Sequence, residues 1–305
     1  MIVRSVSHDV RRASLRERLE LEGFVRLLEA HDPLSAMVGE NATAVLPEVG
    51  HVEFDGFWSS SLTDSARRGL PDIELVGMRS RLQGIAEMFA VTSKPLLMDG
   101  DTGGRVEHFE YTVRDLERAG VSGVVIEDKT GLKQNSLLGT SVPQLLETVE
   151  AFSEKIARGK AAQSRPEFMI VARIESLILG MPMDDALHRA SAYVSAGADA
   201  VMIHSRQSSP REVLAFAALF RAAHPTVPLV AVPTTYNTIR AEDLRAAGFN
   251  VVIYANHMLR ASLRAMDAVA RKILNHDRTL EVEPACADLK DLLTVEVESG
   301  RAVGA

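Results

Sequence analysis

Acidic and basic side chains stand at the ends of short apolar runs along this chain of 305 residues. Asp99 and Asp101 follow Leu96, Leu97 and Met98; Glu127, Asp128 and Lys129 follow Val124, Val125 and Ile126. Arg173 and Glu175 close the run that starts at Phe168, and His204 and Arg206 follow Val201, Met202 and Ile203. Three or four carboxylates meeting at one place, with no cysteine or histidine cluster beside them, suit a hard divalent ion. Magnesium prefers oxygen ligands and keeps several of its waters. A cation is also the simplest way to keep such acids ionised, because unpaired they raise one another's pKa. The alternative is that each carboxylate caps a strand end or pairs with a nearby Arg or Lys. Arg173 leaves an apolar run, where a guanidinium is costly unless it meets a carboxylate or phosphate bidentately. Its partner is either an anionic ligand or one of Glu127 and Glu175.

The segment EDKTGLKQNSLLGTS, residues 127–141, is a long polar connection with two Gly and two Lys. Such a loop is either a lid or a solvated turn. As a lid, Lys133 and Asn135 would swing over a bound anion, bringing a positive charge and an amide while excluding water. Of nine histidines, His31, His204 and His257 fall at predicted strand ends, and a lone histidine there is usually structural. Trp58, beside Ser59, Ser60 and Ser61, either walls a small pocket or plugs the interior.

The elements that must position these groups follow from the apolar pattern. Eight runs read as strands buried on both faces: VRLLEAHD, VEFDGFWSS, KPLLMDGDTGG, SGVVIEDK, EFMIVARIES, ADAVMIHSR, VPLVAVPTTY and FNVVIYANH. Helical spacing separates most of them, as over 106–119 and 183–196. Alternation along each strand predicts Asp99 and Asp101 on one side and Glu127 opposite Asp128. The strings AGVSGVVIE, AGADAVMIH and AGFNVVIYA form a weak repeat in which Gly120, Gly197 and Gly248 serve as left-handed helix caps. Eight such units predict an α/β fold of the (β/α)8 TIM-barrel type with additional C-terminal helices, whose active site lies at the C-terminal ends of the strands. The expected division is an N-terminal helical extension over 1–22, a barrel over 23–275, and a C-terminal helical segment and tail over 276–305. SLRERLELEGFVRLL reads as an amphipathic helix, HMLRASLRAMDAVARKILNH and PACADLKDLLTVEV as surplus helices, and ESGRAVGA as a frayed end.

Composition narrows the function. With 34 Lys and Arg against 41 Asp and Glu, the net charge of -7 is the wrong sign for holding nucleic acid. No apolar stretch is long enough to span a bilayer, so no membrane partner is expected. The single cysteine, Cys286, excludes an intramolecular disulfide and fits a cytoplasmic protein.

Two resemblances bear on the chemistry. DGDTG after an apolar strand resembles the DxDxT nucleophile motif of haloacid dehalogenase-type phosphatases, which place it in an open sheet. A far longer resemblance runs over about residues 25 to 260 through EAHDPLSA, FDGFWSSSL, GLPDIE, LLMDGDTGG, VSGVVIEDKTGLKQNS, MIVARIESLILG and GADAVMIHSR. These segments are similar to the phosphoenolpyruvate mutase family of the isocitrate lyase superfamily, and EDKTGLKQNS is the most specific of them. The resemblance implies a (β/α)8 barrel and a Mg2+ cofactor. It implies Asp99 as the direct metal ligand, with Asp72, Asp101 and Glu127 holding the ion through water. Arg173 resembles the phosphoryl clamp, with His204 beside it. Lys133 and Asn135 match the lid, Ser136 follows them as a substrate contact, and Trp58, Ser60, Ser61 and Leu62 match the substrate wall. Asn135 as guide for the phosphoryl group, or Asp72 as transient nucleophile, are both open.

Lyase members of the superfamily carry a catalytic cysteine in the loop after the fourth strand, and residues 127–141 have none. The family usually reads Trp-Gly-Ser-Gly-Leu where this chain has Trp58-Ser59-Ser60-Ser61-Leu62, so hydroxymethyl groups replace two hydrogens and are expected to restrict backbone approach. The segment ENATAVLPEVGHVEFDG is also longer than the family's link. The resemblance implies interconversion of phosphoenolpyruvate and phosphonopyruvate in phosphonate biosynthesis. Phosphonopyruvate hydrolysis on the same scaffold is the nearest alternative, and a catalytically silent binding barrel is another. It further implies a homodimer or homotetramer with swapped C-terminal helices.

Overall fold

The computed structural model describes residues 2–297, so the expected tail ESGRAVGA lies outside the described residues. Eight parallel strands close a barrel in chain order: β1 Val25–Glu29, β2 Gly56–Ser59, β3 Leu96–Asp99, β4 Gly123–Glu127, β5 Met169–Ile174, β6 Ala200–Ile203, β7 Leu229–Ala231 and β8 Val251–Tyr254. β8 returns to β1 with Val251 opposite Val25, which leaves no edge strand in the barrel. Each of the eight predicted runs contributes one barrel strand. Around them lie helices α1 His8–Glu22, α2 Pro33–Asn41, α3 Ser61–Ala66, α4 Met78–Phe89, α5 Val106–Ala119, α6 Val149–Ala162, α7 Met183–Ser195, α8 Arg211–Ala223, α9 Ala241–Ala246, α10 His257–His276 and α11 Leu289–Leu293. Gly120, Gly197 and Gly248 all have positive φ at the ends of α5, α7 and α9, as the repeat predicts. The closed barrel removes the open-sheet phosphatase reading of DGDTG.

Strand parity splits the core into two layers. Val25, Leu27, Trp58, Leu97, Val125, Met169, Val171, Met202, Val230 and Val251 fill the barrel interior. Their neighbours Met98, Val124, Ile126, Ile170, Ala172, Val201 and Ile203 pack outward against the helices. Asp99, Glu127, Arg173 and His204 share the parity of Leu97, Val125, Val171 and Met202, so each stands directly above an interior apolar residue. Asp128 has the opposite parity and faces α7, where its Oδ2 accepts from Tyr193 Oη (2.8 Å) and Arg189 Nη1 (3.2 Å).

The opposite end is plugged by α1, whose Leu15 enters the interior layer. Arg11 Nη2 donates to the carbonyls of Phe89 (3.1 Å) and Thr92 (2.6 Å), and Arg12 Nη1 donates to that of Glu117 (2.6 Å).

Three local expectations are corrected. SLRERLELEGFVRLL is not one helix: α1 stops at Gly23, left-handed with φ 68°, and the apolar end becomes β1. VEFDGFWSS is not one strand: Thr43–Leu46 and Gly50–Glu53 form an antiparallel hairpin, and the chain breaks at Asp55, whose Oδ2 accepts from Arg26 N (2.7 Å), before β2 begins. PACADLKDLLTVEV is helical only over α11, since the segment opens on a 3-10 turn at Glu283–Ala285 and ends with Glu296–Val297 paired to Ile2–Val3. No helix among the described residues is long and apolar enough to cross a membrane.

Candidate active site

A cavity of about 50 Å3 opens at the C-terminal rim of the barrel. Its walls include Trp58, Ser60, Ser61 and Leu62 from β2 and α3, Asp99 from β3, Asp72, and Lys133, Asn135 and Ser136 from the 127–141 loop. Arg173 from β5 and His204 from β6 complete the opposite wall. Met202, Val232, Thr234 and Asn256 also line it, although the sequence did not single them out. Asp101 and Glu127 stand one layer behind the wall. Among the described residues no three His, Cys, Asp or Glu side chains converge as a ready metal cage. The gathering of carboxylates expected from sequence is therefore looser than a direct-ligand cluster, because cations are threaded between the acids.

Lys133 is the main such cation. Its Nζ donates to Ser61 Oγ (2.5 Å), to Asp72 Oδ1 (2.9 Å) and to Asp101. Asn135 Nδ2 donates to the other Asp72 oxygen at 2.8 Å, so one carboxylate holds both loop residues. Burial works against the Lys133 ammonium, but Asp99, Asp101, Glu127 and Asp72 together raise its pKa above the ordinary lysine value. The loop lies closed on the rim.

Asp99 accepts from the Ser61 hydroxyl (2.9 Å) and backbone N–H (3.3 Å) through Oδ2, and from Asp101 N (3.1 Å) through Oδ1. Burial pushes its pKa up, yet the charges of Lys133, Arg173 and Arg81 and the Ser61 hydrogen bond hold it down at about 2. The turn after β3 is tight: a Cβ on Gly100 would stand 2.5 Å from Val124 Cγ2, and Asp101 takes φ 56°. Arg81 of α4, fully buried, secures this turn by donating to the Asp99 carbonyl (2.5 Å), Asp64 Oδ2 (3.0 Å) and Asp101 Oδ2 (3.3 Å). Sequence reasoning missed Arg81, which sits inside an ordinary amphipathic helix pattern with nothing to mark it.

The basic wall is built around Glu175. Arg173 Nε donates to Glu175 Oε1 (2.5 Å), and Arg173 Nη2 reaches Ser136 Oγ (2.6 Å) and His204 Nδ1 (2.9 Å). Lys129 Nζ binds Gln134 O (2.8 Å), Ser136 Oγ (3.0 Å) and Gln144 Oε1 (2.8 Å), which anchors the base of the loop. Lys129 and Glu175 were visible as polar strand ends in the sequence but carried no assigned role. Burial, with the Arg173 charge, lowers the His204 pKa and favours neutral imidazole.

Glu127 is the odd member. It lies 3.3 Å from Arg173 Nη2 and 3.2 Å from Lys129 Nζ, yet neither of its buried oxygens makes a hydrogen bond. Burial lifts its pKa to about 7 against the pull of Arg173 and Lys129. Hard oxygen donors on Asp72, Asp99, Asp101 and Glu127, two of them orphaned, fit a divalent cation that keeps water in its coordination sphere. Cys286 is exposed and absent from the walls.

This arrangement has solved relatives. The crystal structure of phosphoenolpyruvate phosphomutase from Streptomyces platensis subsp. rosaceus superposes with TM-score 0.84 and 41% identity, covering 92% of this chain and 93% of that one. Phosphonopyruvate hydrolase, solved with oxalate and Mg++, superposes with TM-score 0.81 and 34% identity, covering 93% and 94%. By sequence, phosphoenolpyruvate phosphomutase of Tetrahymena pyriformis is 35% identical over 293 residues, 94% of this chain and 93% of that protein. Residues 15–274 match the profile of the family described as phosphoenolpyruvate phosphomutase, and the chain belongs to that family of enzymes.

Proposed function

We propose that this chain is a magnesium-dependent phosphoenolpyruvate mutase. It interconverts phosphoenolpyruvate and phosphonopyruvate in the cytoplasm and serves phosphonate biosynthesis. The observation that carries the proposal is the closed loop: Lys133 and Asn135 are both fastened to Asp72 above a cavity faced by Arg173 and His204. Phosphoryl transfer passes through a loose, metaphosphate-like state, so the protein must position, neutralise and keep water away. A cavity of about 50 Å3 is far below the volume of ordinary ligand pockets, so the loop must lift to admit substrate and close again behind it.

Asp99 would hold Mg2+ directly, and Asp72, Asp101 and Glu127 through water. Bound there, the metal supplies Lewis-acid stabilisation of the charge that develops on the enol oxygen. Arg173, held in its plane by Glu175, presents its guanidinium to the migrating phosphoryl group. His204 Nδ1 lies between Arg173 Nη2 (2.9 Å) and Glu175 Oε1 (3.1 Å), which holds the ring beside the clamp and leaves Nε2 as the nitrogen that meets a phosphoryl oxygen. Lys133 adds positive charge from the loop side. Asn135 guides the group between oxygen and carbon, and the backbone near Trp58, Ser60, Ser61 and Leu62 meets the substrate carboxylate.

Hydrolysis of phosphonopyruvate is the second reading, favoured by the comparable likeness to the solved hydrolase. A phosphorus NMR time course on phosphonopyruvate with magnesium separates the two. The mutase produces a phosphoenolpyruvate signal, whereas inorganic phosphate as sole product overturns the reading.

The catalytic unit proposed here is the barrel over 23–275, with 1–22 as its N-terminal extension and 276–305 as a C-terminal segment. Helix α10 buries none of its residues, and Leu263, Met266 and Leu274 are 65%, 60% and 82% exposed. An apolar groove on the outer wall, lined by Leu28, Phe54 and Tyr254, lies where a helix after β8 would ordinarily pack. Both features support a homodimer or homotetramer with exchanged C-terminal helices.

A further inference from the structure

Ser61 stands where the resembling family has glycine, and its backbone carries no strain, since neither Ser59 nor Ser61 is among the residues with positive φ. The two serines therefore cost no backbone strain, and the Ser61 hydroxyl has partners of its own. Ser61 is buried, and its Oγ accepts from Lys133 Nζ at 2.5 Å while donating to Asp99 Oδ2 at 2.9 Å. One hydroxyl can do both, having one proton and two lone pairs. It thus joins the tip of the loop to a rim carboxylate through a single relay. The hydroxyl of Ser59, the other replacement, donates to Asp64 Oδ2 at 3.4 Å and, among the described residues, bonds no loop residue.

We infer that Ser61 is a positioning residue that latches the 127–141 loop shut, and that this chain acquires through it a closed state more persistent than Asp72 and Asp101 alone would give. A glycine at this position leaves Lys133 with the two carboxylates only. A loop that opens less often admits less water, so the latch biases product formation toward isomerisation. This second consequence rests on the mutase reading; the latch itself does not.

The test compares Ser61→Ala and Ser61→Gly with wild type and with Ser59→Ala by amide hydrogen exchange over residues 129–141. Losing a hydrogen bond to charged partners predicts about tenfold faster exchange in both Ser61 variants. Barrel strands β4 and β5 and the Ser59→Ala loop are expected to exchange at wild-type rates. Tryptic cleavage after Lys133 is expected to accelerate in parallel, and Ser61→Thr, which keeps the hydroxyl, to restore protection. Wild-type loop exchange in Ser61→Ala overturns the latch. If Ser61→Ala loosens the strands as well, failure of Ser61→Thr to re-protect the loop overturns it. In the NMR assay the Ser61 variants are expected to release a larger phosphate fraction than wild type. A wild type that yields phosphate alone removes the mutase reading while leaving the exchange result to judge Ser61.

Discussion

Glu117 and Glu127 sit on consecutive elements, α5 and β4, at opposite ends of the barrel, and they are buried almost equally, at 2% and 1% exposure. Their surroundings differ completely. Glu117 accepts from Ser164 N (3.0 Å), Ser164 Oγ (2.8 Å) and Arg165 N (2.9 Å), so its charge is absorbed by the connection between α6 and β5. Glu127 has two cations nearby, and among the described residues its carboxylate oxygens have no hydrogen-bond partner. The same contrast holds more widely. At the base, Asp199 gathers Arg16, Lys160 and the Ile170 N–H. At the rim, acids and bases face one another across a cavity and bind the 127–141 loop. Buried charge at the base fixes the structure, whereas buried charge at the rim is held ready for a ligand.

The widest separation of the two ends comes from Asp99 and Leu15. Asp99→Asn keeps the shape of the side chain but removes the anion, and turnover is expected to fall by about 10^3-fold or more. Removing the anion also leaves Lys133, Arg173 and Arg81 short of a partner, so its stability is expected to fall by about 1–3 kcal/mol. Leu15→Ala, at the plugged end, is expected to cost about 2–5 kcal/mol of stability while leaving kcat and KM unchanged. Urea unfolding and steady-state kinetics on both variants check the pair. Loss of activity in folded Leu15→Ala would erase the distinction between the two ends.

Much of this was legible in the residues. Seven of the eight strands could be read as β-branched or aliphatic runs ended by polar groups, and β2 from Phe57 and Trp58; parity then carries Asp99, Glu127, Arg173 and His204 to one rim. The loop could be read from its polarity and from Lys133 and Asn135. Two things could not. Which acids reach the cavity wall depends on a turn: Asp101 lies beyond β3 in left-handed backbone, so strand alternation does not govern it, and it points to Lys133 and Arg81 rather than into the cavity. Arg81 was invisible because a buried arginine has the same helical spacing as an exposed one. The hairpin over 43–53 was hidden for a similar reason, its valines merging with the next strand in a single apolar run.

A finer comparison sets Glu117→Gln against Glu127→Gln. The first puts an amide among backbone donors that need an acceptor, and should cost about 1–3 kcal/mol with little change in kcat. The second removes a buried charge that has no hydrogen bond to lose, so its stability change is expected to be the smaller. Its activity should fall by about 10–100-fold if it supports the metal shell. Equal destabilisation in the two variants would show that both glutamates are structural.

The smallest expected effect is a slope with pH at the start of α10. Glu29, fully buried, accepts from His31 Nδ1 at 2.7 Å and from Leu259 N at 3.2 Å, joining the end of β1 to the first turn of that helix. Burial alone would lower the His31 pKa, and Arg67 opposes protonation too, but the hydrogen bond and charge of Glu29, with Asp32, raise it above 6.5. A histidine whose pKa is higher in the folded state stabilises fully below its unfolded value, and the contribution fades as pH rises through the folded value. Wild-type stability measured from about pH 6 to about pH 8 should therefore decline relative to His31→Gln, whose curve lacks this component. Parallel curves for the two proteins would mean that the imidazolium contributes nothing, and that Glu29 holds α10 through the Leu259 N–H alone.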